Sequence, residues 1–493
     1  MAETIWNSAV SVYHFMMDNL VVINILLSLV IVFFQRRSPQ TVWTWLLLLY
    51  FIPILGFVLY LLIGQDFHKS RMFKAKEIEG EIKYAVRRQE ETIYRRRLRL
   101  TNPAVARYRD LILYNLEAGQ AVLTDNNDVR IYTDGKEKFK ALLEEMQKAK
   151  KYIHFQYYII RNDELWQHIE PVLIKRAKEG VEVRILFDSM GCRGMHNRDW
   201  ERLEKEGIHV AEFFPALFGN LQLRMNYRNH RKIVVIDGRV GFVGGFNVGR
   251  EYLGLDKKKF GYWRDTHLCI EGAAVTSLAV RFVLDWNYAA KENLFQEDTL
   301  FEIPKYERGG GRDPVQIISS GPDSQIKTIH DNYLRLIHSA KDHVYLQTPY
   351  FIPDDSILDA LKIAARSGVD VRIMIPCKPD HPFVYWATYS YIGEMVEAGA
   401  KCYVYDNGFL HAKTVMVDGT VACVGTANMD FRSFGLNFEV NAVVYSEETT
   451  QKLEQSFEND MTKSTQITRN AYHQRSLIIR GKEQFSRLLS PLL

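Results

Sequence analysis

The chain has 493 residues, 47% hydrophobic and 25% charged, with no long polar tract. This length exceeds one ordinary core and calls for two or three domains, and the composition excludes a disordered protein. The net charge of +4 is localised: eleven Lys/Arg against five Asp/Glu lie between Lys69 and Arg99, leaving the rest near neutral, without the distributed basic surface that nucleic acid demands.

Thr41 to Gly64 reads TVWTWLLLLYFIPILGFVLYLLIG, twenty-four residues without a charge. About twenty apolar residues cross a bilayer core, so the run predicts a transmembrane helix. Trp43 and Trp45 lie near one end and Tyr60 near the other, as interfacial anchors would, and Pro53 with Gly56 predicts a kink. Leu20 to Phe34 is a shorter run holding Asn24, readable as a second spanning helix or a re-entrant arm. Gln35 to Gln40 would close a tight helical hairpin. The loop carries only Arg36 and Arg37, against eleven basic residues beyond Gly64, and that imbalance places the chain after Gly64 in the cytoplasm. The absence of Lys or Arg before Arg36 argues against a signal peptide. The expectation is a membrane hairpin over 1–66, multi-pass in the cell membrane, then a basic juxtamembrane helical linker over 67–115. Each basic residue of the linker would draw it to an anionic membrane surface with about 1 kcal/mol.

From about residue 116 short β-branched runs alternate with helical stretches, which predicts an α/β fold. Three runs recur in the same order. Ile153–Gln156 returns in type as Val344–Gln347, Gly180–Phe187 as Gly368–Ile375, and Ile233–Val240 as Thr414–Val421. Ordered matches with slowly drifting offsets mean a duplicated domain. The halves are expected at 116–308 and 309–493, with the seam at Gly309, Gly310, Gly311 and Pro314. Each would be a mixed sheet covered by helices, the pair meeting at a pseudo-two-fold axis. Cys192, Cys269, Cys377, Cys402 and Cys423 are odd in number and lack zinc-site spacing, so they read as reduced thiols, with no metal expected.

Each half carries one motif, His230-x-Lys232-x4-Asp237 and His411-x-Lys413-x4-Asp418. Period two in a strand puts each His and Lys on one face. Asp237-Gly238 and Asp418-Gly419 are hairpin signals, so both aspartates, though motif members, are expected to hold turns. Gly244-Gly245-Phe246-Asn247 and Gly425-Thr426-Ala427-Asn428 come next, with Asn at the same interval from His in both copies. The one visible variation is between those two four-residue runs.

The paired motif resembles the phospholipase D superfamily. The N-terminal hairpin, Tyr262–His267, Gln347–Pro353 and the C-terminal Arg487–Leu493 are similar to the bacterial cardiolipin synthases within it. The resemblance implies two α/β sandwich halves sharing one site, with no cofactor and no metal. Lys232, Lys413, Asn247 and Asn428 would surround one phosphate. By analogy His230 is the nucleophile that forms a phosphohistidine and His411 the general acid/base. The resemblance also assigns Asp265 and Glu439, further along each half, as the carboxylates that orient the histidines. The implied reaction joins two phosphatidylglycerols into cardiolipin and glycerol, with no nucleic-acid partner. The alternatives are phospholipid hydrolysis at the same site and a membrane-tethered nuclease. Trp263-Arg264 either touches the site or packs beside Asp265. Pro382–Tyr391 borders a lipid entrance or packs in the core, and Phe485–Leu493 dips into the interface or caps the second half.

Overall fold

The computed structural model describes residues 11, 18–33, 39–60, 103–215, 227–294, 312–324, 326–378 and 380–490. The basic stretch 69–99, the loop with Arg36 and Arg37, and the glycine seam 309–311 lie outside the described residues. The chain divides into two compact units, Met1–His68 with Pro215–Tyr227, and Lys69–Phe214 with Arg228–Leu493.

In the first unit helices span Leu20–Phe33, Pro39–Phe51 and Pro53–Leu59. No helix among the described residues is long and apolar enough to cross a membrane. The uncharged run expected as one span is broken at Pro53, because proline lacks an N–H for the carbonyl four residues back. That carbonyl, of Leu49, instead accepts from Asn24 Nδ2 at 3.1 Å, which explains a buried asparagine in an apolar helix. Trp45 and Tyr60 depart from the expected anchor positions. Four-residue spacing turns Trp45 and Leu49 inward, and the Trp45 and Tyr60 rings meet edge-on at 5.5 Å beside Ile31. Trp43 stays exposed, as do Val21, Leu29, Leu47, Phe51 and Leu55, so the outer surface is apolar.

The second unit is built twice. Its first half contributes strands β1 (Thr124–Asp134), β2 (Tyr152–Tyr157), β3 (Glu182–Asp188), β4 (His209–Phe213), β5 (Arg228–Asn229), β6 (Ile233–Ile236), β7 (Val240–Gly244) and β8 (Trp263–Gly272). Its second half contributes β9 (Asp313–Ser320), β10 (His343–Gln347), β11 (Phe351–Ile352), β12 (Asp370–Pro376), β13 (Lys401–Tyr405), β14 (Phe409–Leu410), β15 (Thr414–Val417), β16 (Val421–Gly425), β17 (Met429–Asp430), β18 (Asn437–Val444) and β19 (Ser464–Ile467). Strand order β1-β8-β7-β6-β2-β3-β4 in one half repeats as β9-β18-β16-β15-β10-β12-β13 in the other, mixed parallel and antiparallel. The three recurring sequence runs fall on equivalent strands. Asp163 and Asp354 cap equivalent helices, each accepting a backbone N–H from the first turn.

The described end of the expected linker is no bare connector. Helices Pro103–Arg107 and Arg109–Gly119 bury Val105, Tyr108, Leu111, Ile112 and Leu116 in the second half's core, against Ile329, Tyr333 and Leu336. Apolar residues at helical spacing find that face.

Asp237 and Asp418 sit in hairpin turns with φ of 54° and 50°, each followed by a glycine at 63°, the left-handed pair of a tight β-turn. The Asp237 carboxylate accepts from the backbone N–H groups of Lys150, Lys151 and Tyr152 at 2.8, 2.8 and 2.9 Å. Asp418 does the same for Lys341, Asp342 and His343 at 2.8, 2.8 and 2.9 Å, and also meets Arg107. Both carboxylates are therefore occupied in clamping a turn to the next strand. Asp237→Ala is expected to cost about 3 kcal/mol of stability through amides left short of an acceptor, read as a lower denaturation midpoint, with turnover per folded molecule largely kept. A loss of turnover as deep as that of a motif-histidine variant, at unchanged stability, would put this carboxylate in the chemistry.

Candidate active site

The strand leading into each motif histidine pairs with a strand of the other half. β5 runs parallel to β18, and β14 runs parallel to β8. His230 N–H donates to Phe438 O at 3.0 Å, and His411 N–H donates to Arg264 O at 2.7 Å. The next residue along each partner strand is acidic. Glu439 holds His230 Nδ1 at 3.0 Å from both carboxylate oxygens, and Asp265 holds His411 Nδ1 at 2.6 Å. The two acids occupy equivalent positions, since Gly244 faces His267 and Gly425 faces Asn441 in the two registers. Each carboxylate thus serves the other half's histidine, a pairing that offsets within a half do not disclose. With Nδ1 occupied, Nε2 is the nitrogen left for chemistry.

The difference between Gly245 and Thr426 in the two copies follows from this exchange. A Cβ on Gly245 would lie 1.9 Å from Asp265 Oδ1, so no larger side chain fits there. At the equivalent place Thr426 Oγ1 donates to Glu439 Oε2 at 2.5 Å, and Asn437 Nδ2 adds a bond to Oε1 at 3.2 Å. Asp265 takes the backbone N–H of Thr266 instead, at 2.7 Å.

Lys232 and Lys413 are buried and donate to the carbonyls of His230, at 2.6 Å, and His411. Burial pulls Lys232 down to about 7 and Lys413 to about 8. Burial and the Lys413 charge also press His411 down to about 4 despite Asp265, and burial lowers His230 against the pull of Glu439. Burial alone would raise Asp265 and Glu439, but the histidine and lysine beside each outweigh it and keep both carboxylates ionised. A phosphate bound beside these groups would add the negative charge that raises the lysine and histidine values again.

Asn428 is buried, and its Oδ1 has no hydrogen-bond partner among the described residues. Asn247 accepts from Ile159 N–H at 3.1 Å and donates to Tyr252 Oη at 3.0 Å, so one of its two amide protons is already committed. Tyr252 escaped the sequence reading because no motif marks it. Its ring packs against that of Trp263 at 4.6 Å and stands 6.4 Å from that of His411. The Trp263 ring stands 5.2 Å from that of His411, whereas the Arg264 guanidinium is buried away from the histidine, on Asp460.

Residues 142–266 and 333–461 match the family model described as cardiolipin synthase, PLD-like domain, and 22–65 match a phospholipase D-nuclease N-terminal model. The chain is 49% identical over 473 residues to a cardiolipin synthase of Oceanobacillus iheyensis, covering 96% of this chain and 98% of that one. It is 48% identical over 476 residues to the major cardiolipin synthase of Bacillus subtilis, covering 96% and 98%. Among solved structures, phosphatidylserine synthase of Haemophilus influenzae is similar with a TM-score of 0.61 at 14% identity, over 78% of this chain and 100% of that chain, a likeness of fold.

The buried lysines set a pH signature. Their unfolded value of 10.5 lies above the folded values of about 7 and 8, so the unfolded chain binds more protons in between and stability rises with pH across that window. The melting temperature of the lipid-free protein is expected to climb from pH 7 to 9. Lys232→Met with Lys413→Met should flatten the climb, and an unchanged slope in that variant would contradict the buried-ammonium assignment.

Proposed function

The chain belongs to the phospholipase D-like cardiolipin synthases, and from that premise we propose that it is a phosphatidyltransferase joining two phosphatidylglycerols into cardiolipin with release of glycerol. The observation that carries the reading is the pair of histidines, each tied through Nδ1 to the other half's carboxylate, with two buried lysines beside them. A phosphodiester entering there meets two Nε2 atoms from opposite sides.

His230 Nε2 attacks phosphorus, the N–P bond forms and the P–O bond to glycerol breaks. His411, protonated once the phosphate's charge is bound, gives its proton to the departing oxygen. The neutral His411 then takes the proton from the hydroxyl of a second phosphatidylglycerol, whose oxygen attacks phosphorus and releases His230. Lys232, Lys413 and Asn428 balance the charge as it moves over the phosphoryl oxygens. Glu439 and Asp265 fix the ring orientations and stabilise whichever imidazolium forms. Asp237 and Asp418 act from the turns. The exposed apolar surface of the N-terminal helices and the match of 22–65 support membrane association of the enzyme.

Incubation with phosphatidylglycerol in detergent and chelator should yield cardiolipin and glycerol in equal amounts. Phosphatidic acid as the only lipid product would replace transfer by hydrolysis. With labelled phosphatidylglycerol, His411→Ala is expected to retain label on the protein and His230→Ala none; the reverse pattern would exchange their roles.

A further inference from the structure

Beneath each orienting carboxylate lies a buried charge pair that the motif does not include. Asp285, in helix Ala274–Ala290, accepts from Arg231 Nη1 at 2.5 Å and Gln156 Nε2 at 2.8 Å. Asp460, in helix Glu447–Met461, accepts from Arg264 Nε at 2.8 Å and Gln347 Nε2 at 2.9 Å. The two aspartates and two glutamines hold equivalent places in the duplicated halves. The arginines do not. Arg231 follows His230, where the second copy has Ala412; Arg264 precedes Asp265, where the second copy has Phe438.

Both guanidinium groups nevertheless reach the same target. Arg231 Nε donates to the carbonyl of Glu439 at 3.1 Å, and Arg264 Nη1 donates to the carbonyl of Asp265. All four charged side chains are buried, with Asp285 at 0% exposure and Arg231 at 1%. The Arg231 guanidinium lies 5.2 Å from the centre of the Phe438 ring, so the two places that can hold the arginine adjoin. A buried ion pair is a poor source of net stability, because desolvation offsets attraction, and it serves better to enforce one arrangement.

We propose that Arg231 and Arg264 are positioning residues that hold the strands bearing Glu439 and Asp265 in register with the opposite half's histidines, one arginine per junction, supplied from alternate sides. The assignment rests on the crossed histidine–carboxylate pairs being the catalytic centre. Pseudo-symmetry supplies the test. Position 438 is equivalent to Arg264 and Asp285 to Asp460, so an arginine moved across the junction should still do the work.

Phosphatidyl transfer and melting temperature are measured for the parent, Arg231→Ala, Arg231→Ala with Phe438→Arg, Arg264→Phe, and Arg264→Phe with Ala412→Arg. Each single variant is expected to lose about a hundredfold in kcat, with KM little changed and the histidine limbs of the pH profile displaced. Each exchanged double variant should regain most of that loss and the parental profile. Double variants no more active than the singles, whether folded or not, would overturn the proposal. So would single variants that lose melting temperature but keep kcat and pH profile. Inactivity of the parent itself would count against the functional reading instead.

The C-terminal helix Leu477–Leu488 is turned inside out. It buries Glu483, paired with Arg475 at 2.8 Å, and Ser486, while Leu477, Ile478, Phe485 and Leu488 are exposed, Leu477 at 82%. It packs on helix Pro382–Ala398, whose exposed Phe383 stands 6.5 Å from Phe485. The first turns of that helix bring Tyr385 and Thr388 to a cleft shared with Tyr350 and Asp380, and the charge of Asp380 is felt by Lys413. From Arg469 to Leu493 there are five Lys/Arg and one Glu, with Arg480 and Lys482 exposed.

An apolar face flanked by basic charge fits an anionic bilayer surface. We infer that this face rests on the lipid surface that holds the substrate, at the mouth of the cleft. The inference deepens the proposed function and rests on it. The full chain carrying His230→Ala and Cys377→Ser, with a fluorophore on Leu488→Cys or, as reference, on Gln455→Cys, is mixed with phosphatidylglycerol vesicles containing nitroxide-labelled lipid. Strong quenching at 488 and weak quenching at 455 is expected. Equal quenching, or shielding at 488 that depends on protein concentration without lipid, would overturn the inference in favour of solvent or of a protein partner. Because the probe protein is catalytically disabled, the result is independent of whether the parent makes cardiolipin.

Discussion

The structure depends on one exchange: each half's carboxylate reaches across the pseudo-two-fold axis to the other half's histidine. His230 bonds to Glu439 and His411 to Asp265, and neither pair exists unless the halves are docked. The short parallel pairings of β5 with β18 and β14 with β8 enforce that docking by backbone hydrogen bonds. A site assembled this way is set by sheet register, and a one-residue slip would turn every side chain over.

Electrostatics follow from the same geometry. Two lysines, two histidines and two carboxylates share a space from which water is largely excluded, so charges there interact strongly. The carboxylates stay ionised, while the lysines and histidines sit below their ordinary values because burial dominates. In the proposed mechanism a phosphate diester arriving there restores the protonation that His411 needs as an acid. Preorganised donors of this kind stabilise charge without reorganising at the moment of reaction.

Much of this was legible in the residues. The recurring runs located equivalent strands because β-branched segments keep their pattern through divergence, and the duplicated His-x-Lys located the pocket because period two fixes one face. The direction of the carboxylate pairing was hidden, since linear offsets do not say which half a strand will join. Arg231 and Arg264 were hidden for a related reason: they stand at non-equivalent places in the repeat, so comparing the copies hides their common task. In the N-terminal helices, the run without charge and its interruption at Pro53 were visible, but the inward turn of Trp45 and Tyr60 came from packing with Ile31. The helices over 103–119 read as linker because their apolar face is short.

The crossing of the carboxylates is tested most directly by histidine-selective 15N NMR, comparing the parent with Asp265→Asn and Glu439→Gln. Crossed pairing predicts that Asp265→Asn moves the Nδ1 resonance and titration of His411 while His230 stays in place, and that Glu439→Gln does the converse. If Asp265→Asn instead moved His230 and left His411 unchanged, the histidines would be oriented within their own halves and the account of one shared site would fail.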